Sequence, residues 1–398
     1  MGFFDKIFKK GKKAEKEAAP AKKKAAPAAA PAAAPSAGGY VANSPIEGYV
    51  PGLGAPANGK IKIALYWAAA CGGCDVSILD SDEKVLNIGA MADIVMWPIA
   101  ADGKEKDIEA MEDGSITVSL INGAVRNSEN EHMVKLLRKK SKLVIAYGTC
   151  ACFGGTPALA NLVGDGKEIL DYVYDKTPSS ADFQAAYHKD KPVIPQTSTQ
   201  VPEGEVTLPV FYDTVKSLDQ VIDVDYSVPG CPPTQETIGK LLNALVDFVY
   251  NGVPLPPKGT MIGVEDKTLC DECPRHKENR RIEAIYEPYQ VNVDPDLCLL
   301  DQGILCLGAA TVAGCGAKCT IVGQPCRGCY GPTKAVQEQG ASIFTAIASL
   351  YPVLDDDPTC GEDKIADVMS NIKDPLGYFY AFTMSKALIK SKVKEGGQ

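Results

Sequence analysis

Apolar and polar positions change rhythm several times along this chain, and each change marks an element. Five short runs, Ile61–Trp67, Ala92–Ile99, Ser115–Ile121, Lys142–Tyr147 and Val221–Val228, are apolar and rich in β-formers. Runs of this length and composition predict strands. Between several of them the spacing lengthens to that of a helix, notably over Asp75–Ala90 and Asn127–Lys140. Strands alternating with helices predict a parallel sheet in a doubly wound α/β domain. The stripe Ile238, Leu241, Leu242, Leu245, Val246 and Val249 predicts an amphipathic helix over Thr234–Tyr250 that closes it.

The rhythm then stops. Pro254, Pro256 and Pro257 mark a boundary, and residues 259–335 are loop-rich, cysteine-dense and nearly free of periodic core. Such a segment is expected to depend on bound metal for its shape. Further on, Tyr378, Phe379, Tyr380 and Phe382 predict a helix within 374–394 that docks back on the body. The expected organisation is a tail and linker over 1–59, an α/β domain over 60–254 and a metal-binding domain over 255–398.

Composition adds to this picture at the N-terminus. Residues 1–43 carry nine lysines against Asp5, Glu15 and Glu17, with Pro20, Pro27, Pro31 and Pro35 set among alanines. This stretch reads as a flexible or partly extended linker. Ahead of the prolines, Phe3, Phe4, Ile7 and Phe8 alternate with lysines. Two readings stay open, a disordered solubilising tail or a weak anchor to an acidic surface. The formal net charge of the whole chain is −9, so the body behind this basic tail is strongly acidic. That argues against nucleic acid as a partner. No run of about 18 apolar residues appears, so no transmembrane helix is expected. Neither a secretory core nor a twin-arginine pair stands at the start, and a cytoplasmic location is expected.

Fourteen cysteines in a thiol-reducing compartment point to metal rather than disulfides. With three histidines in the chain, His132, His188 and His276, the ligands must be mostly thiolates. Soft thiolate sites take zinc, copper(I) or iron–sulfur clusters. Cys71-Gly-Gly-Cys74, Gly148-Thr-Cys150 and Pro229-Gly-Cys231-Pro-Pro233 each follow the carboxyl end of an expected strand. Ligands collect at that edge of open parallel sheets, so Cys71, Cys74, Cys150 and Cys231 are expected to converge. Gly72, Gly73, Gly154 and Gly155 would let backbone amides approach the sulfurs. The later segment holds eight more cysteines. Its simplest division is Cys270, Cys273, Cys298 and Cys306 in one set, and Cys315, Cys319, Cys326 and Cys329 in the other. The prolines beside Cys273 and Cys326 suit cluster-binding runs, while C-x-x-C pairs also occur in structural zinc sites. Cys152 is expected to be structural and Cys360 a bystander.

Taken together, Cys71-Gly-Gly-Cys74, Gly148-Thr-Cys-Ala-Cys-Phe-Gly-Gly155, Pro229-Gly-Cys-Pro-Pro233 and Pro325-Cys-Arg-Gly-Cys-Tyr-Gly-Pro332 resemble the small subunit of a [NiFe] hydrogenase. The resemblance runs from about Lys60 to Lys394. Leu269–Arg275, Cys298–Cys306, Gln339–Ser349 and Tyr378–Lys390 make it most similar to the F420-non-reducing type found with heterodisulfide reductase. It implies a flavodoxin-like domain followed by a loop-rich iron–sulfur domain. It also implies three [4Fe–4S] clusters that carry electrons from hydrogen oxidation. The proximal cluster falls to Cys71, Cys74, Cys150 and Cys231, and the medial to Cys315, Cys319, Cys326 and Cys329. The distal falls to Cys270, Cys273, Cys298 and Cys306. Cys270 stands where many relatives have histidine, and Cys319 supplies a fourth thiolate where others have proline. The nickel–iron centre would lie in a partner large subunit, since this chain lacks that site. The acceptor would be an accessory iron–sulfur or flavin subunit such as heterodisulfide reductase. A quinone-reductase subunit of the complex I type and a zinc-stapled scaffold are the rival readings.

Overall fold

The five β-rich runs pair side by side into a single sheet. Its strands are β1 (Ile61–Trp67), β2 (Ala92–Met96), β3 (Ile116–Asn122), β4 (Ser141–Tyr147) and β5 (Tyr226–Val228). Their order is β2-β1-β3-β4-β5, and every neighbouring pair is parallel. This is the flavodoxin-like order of a doubly wound sheet. The computed structural model describes residues 49–187, 194–278, 282, 284–336, 338–350 and 370–389. The lysine-rich stretch 1–43, His188 and Cys360 lie outside the described residues.

Period-two alternation sorts the strand side chains onto two faces. Ile63, Leu65, Leu120, Ile145 and Tyr147 pack with Ile88, Met91, Ile238, Leu241, Leu242 and Leu245. Ala64, Tyr66, Ile121, Val144 and Ala146 pack on the opposite face with Met133, Val134 and Leu137. Both faces are therefore covered by helices, as a parallel sheet requires. Val50 joins the first cluster, and the Tyr250 hydroxyl donates to the Gly54 carbonyl at 2.6 Å. Part of the stretch read as linker thus packs on the sheet.

Local chemistry explains where elements depart from the expected ranges. The helix expected over Asp75–Ala90 is two helices, Gly73–Leu79 and Lys84–Met91. Between them Asp82 takes a positive φ of 52°, and the Ser81 hydroxyl donates back to the Ile78 carbonyl at 2.5 Å. A cluster of Asp and Ser offers the backbone such turn partners in place of helix. The helix of Ser128–Lys140 begins where expected, because the Asn127 side chain accepts from the Asn130 amide at 2.7 Å. Of the run Val221–Val228, Tyr226–Val228 is strand. Just before it, the buried Asp225 carboxylate accepts from the Val144 amide at 2.8 Å.

Residues 154–220 add elements that the periodicity did not announce. They include helices at Gly166–Asp171 and Pro178–Tyr187 and a hairpin of Ser198–Val201 with Gly204–Thr207. Phe211–Lys216 then pairs antiparallel with Val125–Asn127. The cysteine-dense segment also has a core of its own, against expectation. Leu299, Ile304, Leu307 and Ile343 are almost wholly buried, together with Ile347, Phe379, Tyr380 and Met384. Leu299, Ile304 and Leu307 come from turns and short helical turns, where no period reveals them, and they meet Ile343 and Ile347 of the helix Gln339–Ser349. At the closing stretch, the single expected helix is a five-residue helix, Pro375–Phe379, and a 3-10 turn at Met384–Lys386.

Candidate metal centres

The first set of thiols forms at the carboxyl edge of the sheet. Cys71 and Cys74 follow β1, Cys150 lies in the helical turn Thr149–Phe153 after β4, and Cys231 follows β5. Burial is the main force raising the Cys74 thiol, followed by the charges of Cys150, Cys231 and Cys71. Cys150 is pushed up to about 12 by burial and then by Cys231 and Cys71, while backbone amides oppose the shift. Sulfurs gathered this closely repel as thiolates. A bound cation reverses that balance, because it takes the place of the protons. The Gly73 amide donates to Cys71 Sγ at 3.4 Å. Gly148 and Gly155 both have positive φ, and a Cβ on either would run into a thiol, Cys74 at Gly148 and Cys150 at Gly155. Only glycine lets these turns press so close.

Cys152 faces away from this set. Its thiol donates to the Ala146 carbonyl at 3.4 Å. It is pushed up to about 12 by burial, with Lys386 the largest opposing influence and no other cysteine among the causes.

The eight later cysteines sit on the segments packed around the third core. Cys270 is pushed up to about 12 by burial, opposed by Lys277, and then raised further by Cys306, Cys298 and Cys273. A Cβ on Gly308 would meet Cys270 Sγ at 3.2 Å and Cys306 Sγ at 3.8 Å, so a glycine again lines the sulfurs. Cys329 is also pushed up to about 12, by burial and then by Cys315, Cys231 and Cys319. Cys326 is raised by burial first and then by Cys306, with Cys329 further down. Neighbouring sets are tied together. The Thr149 hydroxyl, beside Cys150, links the Gly230 amide to the Cys329 carbonyl, and the Cys326 amide donates to Cys306 Sγ at 3.3 Å.

Four residues to which the sequence pattern assigned no role hold these loops in place. Buried Arg275 donates to the carbonyls of Thr320 (2.7 Å), Asp294 (2.7 Å) and Leu297 (2.8 Å). It thereby fastens the loop after Cys273 to the one before Cys298. The Thr149 hydroxyl donates to the Cys329 carbonyl and accepts from the Gly230 amide at 3.0 Å. The buried Tyr330 hydroxyl accepts from the Thr234 amide at 3.0 Å and pairs with the Thr237 hydroxyl at 2.9 Å. Beside Cys74, the fully buried Asp75 carboxylate accepts from Trp97 Nε1 at 2.8 Å and Asn122 Nδ2 at 2.7 Å. Burial pushes its carboxyl up, against those two hydrogen bonds. A polar residue next to a cysteine motif was the available signal for all four.

The spread of the sulfurs is as informative as their grouping. All thirteen described cysteines are free. Among the described residues, no three of them bring their sulfurs within 4.8 Å of one another. Glu105, Glu109 and His132 do meet that closeness, but they are exposed surface groups.

Known proteins resemble this arrangement in sequence. A family model described as NADH ubiquinone oxidoreductase, 20 Kd subunit, matches residues 71–245. An F420-non-reducing hydrogenase subunit of Methanothermobacter marburgensis is 37% identical over 342 residues, covering 85% of this chain and 99% of that relative. This chain belongs to that hydrogenase-subunit family. The F420-non-reducing hydrogenase iron-sulfur subunit of Archaeoglobus profundus is likewise 37% identical over 341 residues, covering 84% of this chain and 99% of that one. A solved NAD+-reducing [NiFe]-hydrogenase chain is 28% identical, covering 50% of this chain and 97% of its own, with a TM-score of 0.39. Membership makes this chain a subunit of an oxidoreductase that acts on hydrogen. No described helix is long and apolar enough to cross a membrane.

Proposed function

We propose that this chain is the electron-transfer small subunit of a cytoplasmic [NiFe] hydrogenase and holds three [4Fe–4S] clusters. The observation that carries the reading is that neighbouring thiol sets are tied together, through Thr149 between the Gly230–Cys231 turn and Cys329, and through the Cys326 amide on Cys306 Sγ. Cys71, Cys74, Cys150 and Cys231 would hold the proximal cluster. Cys315, Cys319, Cys326 and Cys329 would hold the medial one, and Cys270, Cys273, Cys298 and Cys306 the distal one. A bound cubane takes up and releases single electrons, which is the chemistry a relay needs.

The chain's own residues supply the rest. Cys71 and Cys231 are exposed, which suits an entrance facing a partner large subunit that carries the nickel–iron centre. Backbone amides at Gly73, Cys326 and Gly328 donate to thiol sulfurs at 3.3–3.4 Å. Such donors stabilise the more negative, reduced form and raise the potential. At the far end, electrons would leave for an accessory iron–sulfur or flavin subunit such as heterodisulfide reductase.

Zinc fits the sulfurs poorly. Thiolates about 2.3 Å from one ion stand only about 4 Å from each other, whereas no described trio of cysteine sulfurs lies within 4.8 Å. An iron–sulfide cube spreads its thiolates more widely. The match to the NADH ubiquinone oxidoreductase family model stops at residue 245 and leaves out the eight later cysteines, which the quinone-reductase reading does not account for.

Metal analysis of anaerobically purified protein tests the reading. About twelve irons and as many acid-labile sulfides per chain are expected of three cubanes. Zinc in their place sinks it. Co-purification with a nickel-containing subunit and hydrogen-dependent viologen reduction test the assembly, and a stable complex without nickel would overturn that part.

A further inference from the structure

The geometry points to Arg327 as a fixed cation, held in position by Tyr378, that raises the reduction potential of the metal centres where the medial and distal thiol sets meet. This deepens the relay reading above and rests on it. Arg327 lies between Cys326 and Cys329 in sequence, and its Cζ stands 4.3 Å over the Tyr378 ring. At that distance the ring face attracts the guanidinium and limits where it can swing. The ring is itself fixed. Its hydroxyl donates to the Leu305 carbonyl at 2.6 Å, and its plane meets Phe379 edge-on at 5.8 Å between centroids.

Leu305 immediately precedes Cys306, whose sulfur accepts from the Cys326 amide at 3.3 Å. Tyr378 therefore stands beside one cysteine from each set. The fields on its phenol agree. Burial raises it most, the Arg327 cation opposes, and the charges of Cys306, Glu287 and Cys326 push it up further. A guanidinium and two thiolates acting on one oxygen share one neighbourhood. Among the described residues no carboxylate lies within ion-pair distance of Arg327. Arg327 also borders a cavity of about 200 Å³ with Tyr286, Glu287, Lys373 and Tyr378, so solvent screens part of its field. Glu287 and Asp374 line the same cavity without reaching the guanidinium. Reduction adds negative charge to a centre, and a nearby cation favours that form. Arg327 and Tyr378 are positioning and tuning residues in this account and carry no electrons themselves.

An EPR-monitored redox titration of the anaerobically purified hydrogenase complex tests this. Poised at the wild-type midpoint, Arg327→Gln lowers the ratio of reduced to oxidised centre about threefold. That equals about 28 mV for a one-electron couple at about 59 mV per decade, the size expected of one solvent-screened charge. Tyr378→Leu leaves the cysteine motif intact, removes the ring under the guanidinium and shifts the midpoint the same way. Arg327→Lys keeps the charge and recovers part of the shift. Raising the salt concentration narrows the gap between wild type and Arg327→Gln. Unchanged midpoints in both Arg327→Gln and Tyr378→Leu at full iron content overturn the inference. Equal shifts in Arg327→Gln and Arg327→Lys do the same, since charge is then not the cause. If Arg327→Gln fails to retain iron, Tyr378→Leu decides the matter. Wild-type protein without cubane signals overturns the relay reading itself, and this inference with it.

Discussion

Replacing Gly148 with alanine probes how the proximal thiols are held, because two separate obstacles meet at that residue. Its backbone lies at φ 84° and ψ 160°, a region that essentially glycine alone occupies, at a cost to other residues of about 1–3 kcal/mol. A Cβ added there would also run into Cys74 Sγ and come within 3.6 Å of the Gly230 carbonyl. Overpacking of that kind costs about another 1–3 kcal/mol. The turn cannot move aside easily. Its Gly148 amide donates to the Val228 carbonyl at 2.7 Å and its Thr149 amide to the Gly230 carbonyl at 2.8 Å. The Cys74 sulfur is the group that must yield. Gly148→Ala should therefore lose about four of about twelve irons per chain and melt several degrees lower, at about 2–4 °C per kcal/mol. The assay is iron and acid-labile sulfide on anaerobically purified complex, together with its thermal melt. Gly89→Ala serves as control. An added methyl on that helical glycine would have nothing within 4 Å, and alanine there should stabilise by up to ~1 kcal/mol. Full iron and a wild-type melt in Gly148→Ala would refute both the strain and the steric argument.

Four other variants address different links of the chain. Cys150→Ala should lose a cluster and stop hydrogen-dependent viologen reduction, whereas Cys152→Ala should keep full iron; iron loss in the latter would show that the proximal set is assigned wrongly. Tyr330→Phe should cost about 1–2 kcal/mol, because the Thr234 amide is left without its acceptor; an unchanged melt would show that the hydroxyl is no strut. Asp225 pairs with Arg138 at 2.7 Å and with Lys258. Burial alone would raise its carboxyl, but the hydrogen bonds from Arg138 and Lys258 outweigh it and hold the pKa below the usual carboxylate value. A lowered folded pKa gives stability that is fully present above the unfolded value, near about 4, and is lost as pH falls through the folded one. Asp225→Asn should therefore be less stable than wild type at pH 7, and the gap in melting temperature should close in acid. A gap that stays constant down to the acid limit would contradict the ion-pair account.

Much of the site is legible in the chain itself. Ile61–Trp67 and Lys142–Tyr147 alternate their faces cleanly enough to be recognised as strands, and cysteines just past such strands must lie at one edge of a parallel sheet. Other parts were hidden for physical reasons. The break at Asp82 depends on Asp and Ser side chains competing with the helix for backbone partners, and a hydrophobic stripe does not register that competition. The core of Leu299, Ile304, Leu307 and Ile343 has no single period because the first three sit in irregular turns that meet the helix Gln339–Ser349 only in the folded chain. The elements of 154–220 bury few large apolar side chains, as the exposed Val163, Tyr172, Phe183 and Leu208 show. They carried no periodic signal to follow.

By itself, then, the sequence determined which residues can bind metal, how they divide most simply into three sets of four, and that the first set gathers where strands end. Chain periodicity and residue chemistry are local properties, and these conclusions needed nothing more. The tertiary structure alone decided how the sets join. Cys329 is held beside the Gly230 turn because the Thr149 hydroxyl and the buried Tyr330 tie two remote loops together, and Cys306 meets Cys326 across another pair of loops. Contacts between distant segments are set by how the loops close over a shared core, and no spacing of cysteines along the chain encodes that closure.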